Sequence, residues 1–100
     1  MELKKYTDEE FARYNGAVGI LGKAIGICSF LYYNMATNED DKAAVLSLLH
    51  KYGYMRSRLD IESTDIIQYA FDEIQPLIAG DTPALNLNYI VESNHVRVAV

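Results

Sequence analysis

From Phe11 to Met35 the apolar positions of this chain advance in steps of three and four. Phe11, Tyr14, Val18, Leu21, Ile25, Cys28, Tyr32 and Met35 trace one seam down a long helix. A second line of small residues runs beside it: Asn15, Gly19, Gly22, Gly26 and Ser29. Each glycine costs a helix interior about 1 kcal/mol relative to alanine. Several of them together call for a packing reason, and close approach by another helix supplies one. Ile20, Ala24, Ile27 and Leu31 form a further apolar stripe, so the middle of this helix is apolar on nearly every side. A helix apolar all round is buried all round.

The start of that helix is well marked. Thr7-Asp8-Glu9-Glu10 has the form of a capping box, and Tyr6 and Phe11 stand where a hydrophobic staple places its pair. The acidic first turn suits the positive end of the helix dipole. A helix from there to Met35 is about 45 Å long at 1.5 Å per residue. It must protrude, pair with a copy of itself, or break. Asn15-Gly16 is the candidate break, as this dipeptide is also a turn signal; the reading favoured is one helix, bent there.

A second helix begins near Asn38, capped by Thr37 or Asn38, with Glu39, Asp40 and Asp41 in its first turn. Val45, Leu48, Leu49 and Tyr52 give its buried stripe. Gly53 either ends it or the helix runs on to Leu59. A third helix spans Ser63 to Ile78, with Ile67, Ala70, Phe71, Ile74 and Ile78 on one face and Pro76 expected to bend or end it. Gly80-Asp81-Thr82-Pro83 is a loop. Beyond it, Leu85, Leu87, Tyr89 and Val91 alternate with polar residues, and Val96, Val98 and Val100 repeat the alternation after Ser93-Asn94-His95. That period predicts a C-terminal β-hairpin whose edges are open to another chain.

Composition narrows the functional classes. At 100 residues, half of them hydrophobic, the chain is one α-rich globular domain spanning residues 1–100. A net charge of −5 argues against a direct nucleic-acid binder, which carries a basic face. Cys28, the single cysteine, sits in the apolar seam and reads as a buried thiol of a reducing compartment. No signal peptide is expected from the polar, acidic first ten residues, and a cytoplasmic location follows. Ala17 to Met35 is long enough to raise a membrane span, but Lys23 stands in its middle and an acidic run follows at once.

Candidate chemistry is sparse. His50 through Arg58 is the one basic cluster, interleaved with tyrosines, and Lys51, Tyr52, Tyr54, Arg56 and Arg58 could hold an anion or a partner. A plain helix end, with cations at the negative dipole pole, explains the same residues. His50 and His95 are far apart and no metal-ligand spacing surrounds them, so neither metal nor cofactor is expected. Asp60, Glu62, Asp65, Asp72 and Glu73 read as a solvated helix face. No nucleophile elbow or phosphate loop is present, and an enzyme is not expected. Eight tyrosines suit a protein interface as well as a half-buried core.

The expectation is therefore a mainly α protein: a three-helix bundle with one long glycine-containing N-terminal helix and a short C-terminal β-hairpin. It pairs into a homodimer through Gly19, Gly22, Gly26, Ser29, Tyr32 and Tyr33. The functional class it suggests is a non-catalytic module that occupies another protein's surface, as a small inhibitor or adaptor does. Small acidic proteins of phages and mobile elements block host nucleic-acid-handling or defence complexes in this manner, an analogy of class without a motif. The alternatives are a homodimer binding a nucleotide or metabolite near Arg56, Arg58 and the tyrosines, and a membrane-associated protein.

Overall fold

A computed structural model describes the backbone of residues 5–98 and the side chains of residues 5–93. Within them the chain forms four helices and no strand. Helix α1 runs Asp8–Phe30 and continues through a π-turn, Leu31–Met35; α2 is Glu39–Arg58. Helix α3 comprises Thr64–Tyr69, a π-turn at Ala70–Ile74, and Gln75–Ile78, while α4 is Leu87–Val98. The assembly is elongated, 54 × 29 × 24 Å.

Helix α1 begins as its sequence dictates. The Glu10 amide donates to Thr7 Oγ1 at 3.0 Å and the Thr7 amide donates to Glu10 Oε1 at 2.9 Å. Tyr6 and Phe11 close the staple edge to face, centroids 5.9 Å apart. The helix does not break at Asn15-Gly16. Gly16 instead serves a close approach: a Cβ built there would lie 2.6 Å from Phe71 Cζ. The Arg13 guanidinium lies over that ring, 5.2 Å from its centroid, and donates to Gln68 Oε1 at 3.0 Å. This fastens α3 across the first half of α1.

The core side of α1 is Ala17, Ile20, Leu21, Ala24, Cys28 and Leu31. It lies between the two apolar stripes of the sequence and shares only Leu21 and Cys28 with the first. Phe11 and Met35, the ends of that seam, are exposed. Against this face pack Ala44, Val45 and Tyr52 of α2 and Ile67, Ala70, Ile74 and Ile78 of α3. Asn38 caps α2 by accepting from the Asp41 amide at 2.8 Å, and α2 passes through Gly53 without stopping. Pro76 does not end α3. A proline crowds the carbonyl four residues back, and here the turn before it has already widened, with the Gln75 amide donating to the Ala70 carbonyl five residues back.

The C-terminal β-hairpin is replaced by α4, and the three-helix-plus-hairpin architecture is corrected to four helices. Asn86 accepts from the Tyr89 amide at 2.9 Å, which is an N-cap bond, and Ile90 begins the i to i−4 ladder onto the Asn86 carbonyl. Leu87, Ile90 and Val91 then face inward at helical spacing, with Ile90 buried. The alternation of Leu85, Leu87, Tyr89 and Val91 is accidental: Leu85 belongs to the loop, where its amide donates to the Leu77 carbonyl at 2.8 Å. Val96 and Val98 fall within the helical backbone of α4, and Val100 lies outside the described residues.

Two glycine substitutions test this packing. Gly53→Ala adds a methyl in open space and should raise stability by about 1 kcal/mol through helix propensity. Gly16→Ala must displace the Phe71 ring and should lower it by about 1–2 kcal/mol. Urea unfolding midpoints of the two variants should move in opposite directions.

Candidate functional site

The described residues enclose a half-open cleft of about 290 Å³ where α2, α3 and α4 meet. Helix α2 contributes Ala44, Ser47, Leu48, Lys51 and Tyr52, at the i, i+3, i+4, i+7, i+8 positions of one face. Helix α3 contributes Tyr69, Glu73 and Leu77, each one turn beyond the last, and α4 contributes Tyr89, Ile90 and Ser93. The cleft exists because α4 lies along α2 and follows a loop tied to the end of α3 through Leu85.

Its polar groups are arranged in a definite order. Lys51 Nζ donates to Tyr69 Oη at 2.9 Å and stands 5.1 Å from the ring centroid. Glu73, one turn further along α3, lines the same cleft and is exposed. Tyr52 is buried, and burial, followed by the nearby Cys28, Tyr69 and Tyr89, pushes its phenol well above the ordinary tyrosine range. Beneath it, burial pushes the Cys28 thiol up to about 11. Cys28 is fully enclosed, so this sulfur is packing material rather than a reactive group.

The basic cluster divides. Lys51 and Tyr52 line the cleft, whereas Tyr54, Arg56 and Arg58 are exposed at the end of α2 and take no part in it. Arg58 lies over the Tyr54 ring, 6.0 Å from its centroid. Tyr69, Glu73, Tyr89, Ser47 and Ser93 were absent from the sequence-based set. Their signal is present in the i, i+4 pairs Ser47–Lys51, Tyr69–Glu73 and Tyr89–Ser93, but nothing in the sequence says that these three faces converge.

The second group of sequence-predicted residues lies on α1, away from the cleft. Gly19, Gly22 and Gly26 are exposed, and a Cβ at any of them would meet nothing within 4 Å. They point away from the Ala17–Leu21–Ala24–Cys28 face, so no packing contact among the described residues explains them. Ser29 and Tyr32 are half-buried beside them, and Tyr33 is 78 % exposed, its ring edge to face with Tyr32 at 5.0 Å. Among the described residues no group of three or more His, Cys, Asp or Glu side chains could hold a metal ion. His50 is exposed on α2, and the His95 side chain lies outside the described residues. Comparison of the chain with protein-family models, with curated proteins and with solved structures finds no match.

The buried thiol and phenol give a pH prediction. Their folded-state values are raised, so the stability tied to their neutral forms is complete below the unfolded values and is lost as pH rises. For Cys28 the window runs from 9.0 to about 11, and Tyr52 acts in the same direction from 10.0 upward. Stability should fall through this window by about 2 kcal/mol from the thiol alone, with a shallower slope in Cys28→Ala, as read by urea titrations at pH 8.5 to 11.

Proposed function

We propose that this protein is a non-catalytic binding module, built as a homodimer through the outward face of α1, that acts by occupying the surface of a protein partner. The observation that carries the reading is the bare backbone at Gly19, Gly22 and Gly26, where no described residue would come within 4 Å of an added Cβ. Uncovered glycine in a helix is a loss of about 1 kcal/mol per position. A second helix seated in that groove turns the loss into close backbone contact. Exposed Phe11 at one end and Phe30 and Tyr33 at the other flank the groove and add area to bury. Inhibition or adaptation of another protein's surface is the role this architecture suits, and a cytoplasmic setting goes with it.

Membrane association is the weaker reading. Asp8–Met35 is long and apolar enough to cross a bilayer. Yet its core face is occupied by α2 and α3, whose outer surfaces carry Glu39, Asp40, Arg56, Arg58, Asp65 and Asp72. Spanning would draw those charges into lipid or strip the core from α1. Lys23 is also exposed midway along the helix.

The test is the mass of the native assembly. Native mass spectrometry of the full chain should give a dimer, and Gly22→Leu should give a monomer with unchanged helicity, because the leucine meets no atom within its own chain. A monomeric wild type, or a dimer that survives Gly22→Leu, would overturn the proposal.

A further inference from the structure

The cleft between α2, α3 and α4 plays no part in the dimer, and its groups are amphoteric. One of them is a donor pair. Tyr69 accepts from the Lys51 ammonium, which polarises its own O–H into a stronger donor. Two N–H bonds of the ammonium remain for another acceptor. One turn further along α3 from Tyr69, Glu73 offers a carboxylate that has neither a hydrogen bond nor an ionic partner among the described residues, Lys51 included. The rest of the lining is apolar, from Ala44, Leu48, Leu77 and Ile90, with Tyr52 and Tyr89 beside them.

We infer that this cleft is a binding site for a small zwitterion carrying an apolar body, the class of the hydrophobic and aromatic α-amino acids. The ligand carboxylate takes the Lys51–Tyr69 donors, its ammonium takes Glu73, and its side chain covers the apolar wall. Other ligand classes leave a group unanswered. A phosphate dianion meets one ammonium and is repelled by the Glu73 carboxylate. A simple amine meets Glu73 but lies beside Lys51. A hydrocarbon removes water from both charges and replaces it with nothing. The volume, about 290 Å³, stands at the lower edge of the ~300–1,000 Å³ common to small-molecule sites, which suits a ligand of amino-acid size.

Isothermal titration of the full chain with L-phenylalanine and L-leucine tests the assignment. Saturable one-site binding is expected for at least one of them. Phenethylamine, which lacks the carboxylate, and phenylpyruvate, which lacks the ammonium, should each bind at least tenfold more weakly than phenylalanine. Glu73→Gln and Lys51→Met replace exposed side chains, so circular dichroism should stay unchanged while each weakens phenylalanine at least tenfold. Absence of saturable binding by either amino acid, an amine or keto acid binding as tightly as phenylalanine, or unchanged affinity in both variants would overturn it. The readout is independent of the assembly mass, so it separates this site from the α1 dimer.

Discussion

Everything in this fold depends on one side of α1 being packed by its own chain and the other being left bare. The helix is 28 residues long, about 42 Å at 1.5 Å per residue. The buried stripe Ala17, Leu21, Ala24 and Cys28 mixes small and large side chains against which α2 and α3 pack. The fourth helix lands on α2. The uncovered glycine groove and the cleft are thus two consequences of a single allocation of surface.

The two π-turns show how the chain reconciles a continuous helix with local demands. In α3 the widened turn at Ala70–Ile74 precedes Pro76 and removes the carbonyl crowding that a proline creates four residues back. The helix therefore carries Tyr69, Glu73 and Leu77 in line along the cleft wall, where a kink would have scattered them. In α1 the turn at Leu31–Met35 ends the helix, with the Ala36 amide donating to the Leu31 carbonyl at 2.8 Å. Such turns recur at functional sites; here the one in α3 lies beside the cleft.

The glycines illustrate why one residue type carries several meanings. Gly16 is small because Phe71 presses on it, and Gly53 is a helix-interior position with open space around it. Gly19, Gly22 and Gly26 are exposed on one face with no packing cause among the described residues. In sequence all five stand in helical runs and look alike. Only the position of neighbouring elements separates a packing glycine from one that waits for a partner or none.

The sequence by itself determined what depends on contacts three or four residues apart. The capping box at Thr7, the Tyr6–Phe11 staple, the Asn38 cap and the inward face of α3 are all local, and each was legible because its energy is set within one turn. What only the tertiary structure decided was anything settled by a distant neighbour. Asn15-Gly16 lies within an unbroken helix, where Phe71 of α3 presses on Gly16 and Arg13 reaches across to Gln68. The tail around Leu87 and Tyr89 becomes a helix because Asn86 caps it and α2 offers a surface for Ile90, which outweighs a short alternating pattern. The cleft belongs wholly to this second kind. Lys51 stands on α2 and the Tyr69–Glu73 pair on α3, and their meeting follows from packing geometry that no local period encodes.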